Sequence, residues 1–194
     1  MPKRLIITIF FLFSACAYGA ELRPKPHEGY EVKDDKILFR RGNAGLVVEV
    51  ATPAKIEQYY RERGSQVANP LGNLTAGMQN PAFFIVTLLN RTNGNLTFTP
   101  RYVIARIKTE AYFPLDYLSM MEVMEDLEPG RRKLLEKSIF HSPELLESGK
   151  IVSKFLIFPE LPKKFEEIRL SFDYLYFENT EIKSDFIFTT KLCE

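Results

Sequence analysis

Residues 83–100 read Phe83-Phe84-Ile85-Val86-Thr87-Leu88-Leu89-Asn90-Arg91-Thr92-Asn93-Gly94-Asn95-Leu96-Thr97-Phe98-Thr99-Pro100, and this stretch decides the fold class. Phe83 to Leu89 carries no charge, glycine or proline. A short apolar run bounded by turn residues, rich in aromatic and branched side chains, reads as a strand. Asn93-Gly94 is the dipeptide best suited to positive φ at both centres of a tight turn. Leu96 onward then resumes as a second strand, so the expectation is a β-hairpin in a mainly-β domain.

Working outward, the same grammar recurs. Tyr102 to Lys108 alternates after the interruption at Pro100, and Ile151 to Phe158 is a strand stopped by Pro159. Glu167 to Phe177 alternates, which puts Ile168, Leu170, Phe172, Tyr174 and Tyr176 on one face. Asn179-Thr180 marks a turn before a last strand, Ile182 to Leu192. Upstream, Ile37 to Arg40 and Leu46 to Val50 flank Arg41-Gly42-Asn43 as a hairpin. Val67 to Asn80 is a loop rich in Asn, Gly and Pro.

Two regions change period. Thr52-Pro53 supplies an N-cap and a first-turn proline, predicting a helix near 53–63 with Gly64 to stop it. Tyr117, Met120, Met121, Met124 and Leu127 recur at helical spacing within Pro114 to Glu128. Pro129-Gly130 breaks that helix, Arg131 to Ile139 forms a second, and Ser142-Pro143-Glu144 is a cap-like start closed by Gly149. The expectation is an antiparallel β-sandwich of about seven strands over residues 37–192, with a helical insertion near 114–148.

Phe84 to Thr92 followed by Leu96 to Pro100, and Gly149-Lys150-Ile151-Val152 followed by Phe155 to Pro159, resemble the strand–Asn–turn–strand pattern of bacterial immunoglobulin-like envelope domains. The resemblance covers roughly residues 82–192. It implies an immunoglobulin-like sandwich and carries no activity with it.

The chain begins Met1-Pro2-Lys3-Arg4 and continues from Leu5 to Phe13 without charge or proline. A basic start followed by a short apolar run reads as an export signal over residues 1–20; the run is too short for the ~20 residues that span a bilayer. Phe13-Ser14-Ala15-Cys16 resembles a bacterial lipobox, which would cleave after Ala15 and leave Cys16 lipidated. Ala17-Tyr18-Gly19-Ala20 offers ordinary cleavage near Gly19 instead. The expected location is the periplasm, or the outer membrane through a lipid on Cys16. Residues 21–36, with Pro24, Pro26 and Gly29, read as a tether.

Without Lys3 and Arg4, 24 cations face 25 anions, a net charge of −1. A near-neutral chain has no electrostatic footprint for nucleic acid. Hydrophobic residues at 45% support a real core, and 16 Phe and nine Tyr without Trp suit strands. With Cys16 at the cleavage point, Cys193 has no partner in the mature chain, so no internal disulfide is expected. Three N-x-T triplets begin at Asn73, Asn90 and Asn95.

Catalytic signatures are sparse. His27 falls in the tether and His141 in a loop, and there is no H-E-x-x-H, C-x-x-C or G-x-S-x-G. A hydrolase would have to use His141 as base beside Ser142, adjacent positions that rarely give triad geometry. Met120, Met121 and Met124 are soft thioethers that could converge on Cu(I), against the simpler role of core packing. Glu122, Glu125, Asp126 and Glu128, before Arg131-Arg132-Lys133, read as a solvated turn with surface ion pairs. Tyr59-Tyr60 and the Phe172, Tyr174, Tyr176 ladder read as a core face or an aromatic platform. No cofactor is expected. The function expected is a non-catalytic exported domain that binds envelope proteins, a sandwich edge strand being able to accept a partner's strand; copper handling is the alternative, hydrolysis the second.

Overall fold

The computed structural model describes residues 21–65, 71–72, 78–177 and 180–190. The strands run β1 (Leu22–Pro24), β2 (Tyr30–Lys33), β3 (Lys36–Arg41), β4 (Ala44–Val50), β5 (Ala82–Asn90), β6 (Leu96–Phe98), β7 (Val103–Ile107), β8 (Glu110–Tyr112), β9 (Glu144–Leu146), β10 (Ile151–Phe158), β11 (Glu167–Phe177) and β12 (Thr180–Thr190). The helices are α1 (Pro53–Glu62), α2 (Tyr117–Val123) and α3 (Pro129–Ser138). The residues expected to lie in the export signal, with Cys16, and the Asn73 triplet, Asn179 and Cys193 are outside the described residues.

Among the described residues the strands form two antiparallel sheets. One has five strands in the order β10-β5-β4-β3-β2; in the other, of seven, β1-β12-β11 continues through β6 to β9 at one end and through β7 to β8 at the other. Their inner faces share one core. Leu46, Val48, Phe84, Val86 and Leu88 come from the five-stranded sheet, and Phe98, Val103, Leu170, Phe172 and Phe186 from the seven-stranded one. Each such side chain contributes roughly 1.5–3 kcal/mol by leaving water.

The outer face of the five-stranded sheet is covered too. Ile85, Phe155 and Ile157 pack under Ile56 and Tyr60 of α1, Met120 and Met124 at α2, and Leu135 of α3. The apolar stretches 84–86 of β5 and 155–158 of β10 follow from this, since both faces of these strands are buried there. Tyr60 donates to Ser138 Oγ at 2.7 Å, and Ser138 Oγ donates to Leu135 O at 3.2 Å. Glu49, buried on β4, is clamped by Lys36 and Lys55 at 3.2 Å each, which ties α1 to the sheet.

Several expectations are met closely. The 53–63 helix is α1, with Lys55 N donating to Thr52 Oγ1 at 3.4 Å and Pro53 in the first turn. The strands at 37–40 and 46–50 pair as a hairpin, β3 with β4.

Four expectations are corrected. Asn93-Gly94 does not close a hairpin: β5 pairs β4 and β10, while β6 lies in the other sheet between β11 and β9. With both edges of β5 occupied, the chain must leave the sheet. Asn90, fully buried, builds the corner; its Nδ2 donates to Gly94 O and Leu146 O at 2.8 Å, and its Oδ1 accepts from Thr92 N at 3.2 Å. That burial also removes Asn90 from the surface a glycan would need.

The tether over residues 21–36 is instead part of both sheets. β1 pairs β12, β2 pairs β3, His27 stacks on Tyr30 at 3.8 Å, and Asp185 N donates to Tyr30 Oη at 2.7 Å. Prolines and charges suit edge strands, where one side needs no ladder partner. The stretch 142–149 holds strand β9 rather than a helix, because Leu146 sits opposite Leu96 in the core and Gly149 turns with φ +75°. Helix α2 starts later than expected: Pro114 and Leu115 stay extended, Leu115 N donates to Ile157 O at 2.7 Å, and Asp116 is the N-cap.

Candidate interaction face

The layer order leaves one large face open. Helices pack on β5 and β10 of the five-stranded sheet, whereas the outer face of the seven-stranded sheet carries no layer among the described residues. Its side chains are set by register. Leu145, Thr97, Tyr176 and Glu181 lie opposite one another on β9, β6, β11 and β12, and Leu145 is 64% exposed.

Alternation through β11 would have put Tyr174 and Tyr176 into the core beside Phe172. The register instead shifts between Phe172 and Leu175, and Tyr174 takes φ +58°. A bulge of this kind swaps the faces downstream. Leu175 enters the core at 3% exposure, and Tyr174 stands at the surface at 45%. The neighbouring strand breaks at the same level, with a 3-10 turn over Pro100–Tyr102 between β6 and β7.

The two irregularities bring tyrosines together. Tyr102 and Tyr174 approach to 4.2 Å between ring centroids with a 31° tilt, and Tyr174 and Tyr176 to 6.2 Å. The Arg101 guanidinium lies 4.7 Å from the Tyr102 ring centre and donates to its hydroxyl at 2.6 Å. Tyr174 N donates to Glu181 Oε1 at 3.4 Å. The Tyr176 hydroxyl ionises above its usual range, first because its neighbours exclude water and then because of the Glu181 carboxylate. The Tyr176 phenol therefore stays a neutral donor around neutral pH. Tyrosine and arginine supply large contact area, hydrogen bonds and cation–π attraction at low entropy cost.

The other candidates lie elsewhere. Tyr59 and Tyr60 are buried in the helical layer, and Tyr59 donates to Ser153 O at 2.7 Å. Met120 and Met124 are fully buried in that layer, while Met121 Sδ accepts from Arg132 Nη2 at 3.5 Å. A guanidinium against one sulfur and hydrocarbon around the other two do not form a shared donor pocket. His141 Nε2 donates to Glu136 O at 3.1 Å; its Nδ1 is buried without a partner, and its ring lies 5.4 Å from Tyr117. His27 Nε2 donates to Asp185 O at 2.8 Å, far from His141 in the topology. Among the described residues no three His, Cys, Asp or Glu side chains gather as a metal-holding group. Among the described residues no ion pair joins the 122–128 acids to Arg132 or Lys133; Arg132 pairs with Glu136 at 3.3 Å within α3.

Sequence reading placed Tyr174 and Tyr176 on the Phe172 face and passed over Arg101 and Tyr102. The run Phe172-Asp173-Tyr174-Leu175, with two residues between apolar positions, is the one signal that a bulge was available. No family model, curated protein or solved structure matches the chain. The fold and the exposed tyrosine face define it as a mainly-β protein of two antiparallel sheets with a helical layer. No helix of the described residues is long and apolar enough to cross a membrane.

Proposed function

We propose that this chain is an exported, non-catalytic module of the bacterial envelope that binds another protein through the open face of its seven-stranded sheet. The observation that carries the reading is the cluster of Arg101, Tyr102, Tyr174 and Tyr176, brought to the surface by a bulge with a tyrosine at φ +58°. Strained backbone at an exposed aromatic cluster points to selection for the surface it creates. The two face-to-face sheets support an immunoglobulin-like sandwich as the finer class, and the basic, then apolar start of the chain supports export, with Cys16 as the lipid anchor.

The test is a photo-reactive amino acid placed at Thr97, beside Tyr176 in register, in the intact cell. One defined protein should cross-link, and Tyr174→Ser with Tyr102→Ser should abolish the product while the purified variant keeps its circular dichroism. Absence of any cross-link, or cross-linking indifferent to both tyrosines, would sink the reading. The mass of the mature N-terminus reports the anchor: diacylglycerol on Cys16 is expected, and a start beyond Gly19 would remove it.

A further inference from the structure

A second surface lies on the helical layer. Phe113, before α2, is 59% exposed, and Tyr117 and Leu118, in its first turn, are 48% and 75% exposed. The exposure of Tyr117 and Leu118 is not fraying, because Met120 in the helix and Met124 at its C-cap have zero exposure and Asp116 caps its start at 2.8 Å from Ser119 N. Apolar groups concentrated this way on a fixed element mark a contact surface.

The surrounding charge says what covers it. From Thr109 to Gly130 the chain holds six of its 25 carboxylates and none of its 26 Lys and Arg. Glu122, Glu125, Asp126 and Glu128 are exposed and make no ion pair among the described residues. The cations that follow begin on α3, where Arg132 is engaged by Glu136. Exposed carboxylates on and just after the helix that exposes Tyr117 and Leu118, with Arg132 reaching that helix at Met121 Sδ but held by Glu136, are disfavoured at anionic lipid and complementary to a cationic, apolar partner.

We infer that Phe113, Tyr117 and Leu118, with Glu122 and Glu125, form a docking site for a cationic amphipathic segment of a partner protein. The segment lays its apolar face on Leu118 and sets its Lys or Arg against the carboxylates. This surface is separate from the tyrosine face and stands if that reading fails.

The probe is a synthetic amphipathic helix of leucine and lysine, titrated by fluorescence anisotropy into the mature chain, beside a counterpart with glutamate for lysine. The lysine peptide should bind, weaken steeply with salt, and lose about tenfold or more in affinity on Leu118→Ser with Tyr117→Ser, and again on Glu122→Lys with Glu125→Lys. Both positions changed to serine are exposed, and an unchanged melting temperature checks the fold. Tyr174→Ser should leave the titration unchanged. Equal binding of the glutamate peptide, no binding of either, binding that survives the Leu118 variant, or self-association abolished by Leu118→Ser would each overturn the assignment, the last by making a second copy the occupant.

Discussion

Single side chains in this protein show which buried polar groups are satisfied. Ser184 faces the core opposite Phe172, and its hydroxyl is buried with no partner. An unmade buried hydrogen bond costs about 1–3 kcal/mol, so Ser184→Ala should raise stability by ~1 kcal/mol. A urea midpoint at or below the parent's would refute this. Tyr60 behaves oppositely, being both buried and hydrogen-bonded. Burial holds its phenol far above the ordinary tyrosine range, and Tyr59 is raised for the same reason. A group raised in the fold contributes in full below its unfolded pKa, near 10, and that contribution is lost as pH climbs from there through the folded value. Stability should therefore fall from about pH 10 upward. Tyr60→Phe should flatten that fall, as read from urea midpoints across the alkaline range; an identical slope in parent and variant would contradict it.

Elements carry the irregularities that make the surface. The bulge in β11 and the turn at Pro100–Tyr102 sit on paired strands, so their bends are matched and Tyr102 meets Tyr174. Tyrosine at positive φ costs of order 1 kcal/mol, which glycine does not incur. Tyr174→Gly should leave the fold as stable or more stable, by up to ~1 kcal/mol, while weakening whatever binds the tyrosine face. Calorimetry combined with the Thr97 cross-link separates the two effects. A large drop in melting temperature would show that Tyr174 serves packing. The corner at Asn90 is the other such device, where a side chain does the hydrogen bonding that an intra-sheet turn would otherwise do.

For the whole molecule, the layer order decides what is open. Helices pack on β5 and β10 of the five-stranded sheet, and among the described residues no layer covers the outer face of the seven-stranded one. The first described residues join the two layers: β1 adds to the seven-stranded sheet and β2 to the five-stranded one. Lys25 bonds Glu167 at 2.7 Å, and Lys25 N donates to Ile187 O at 2.8 Å. Removing residues 21–33 should thus lower the melting temperature by several degrees, since two edge ladders and the Tyr30 contacts vanish together. An unchanged transition would restore the tether reading. If the export signal is cleaved near Gly19, the folded sheet begins almost at the cleavage point. Cleavage after Ala15 would instead leave a lipidated Cys16 six residues before β1 and hold the domain close to the membrane.

By itself the sequence determined the class and the local elements. The apolar run at 83–89, the strand at 151–158, the alternation from Glu167, and the Thr52-Pro53 start are visible because strand and helix periods depend on neighbours in the chain. It also determined the acidic, cation-free character of 109–130. Only the tertiary structure decided which strands pair. Asn93-Gly94 has the chemistry of a hairpin turn, but β4 and β10 hold the edges of β5, and edge occupancy is invisible to local pattern. The same holds for β1 and β2, whose prolines and charges look like linker until a neighbouring strand supplies their bonds. The candidate face is the clearest case: alternation sends Tyr174 inward, and one extra residue, accepted because Leu175 fills the core better, sends it out.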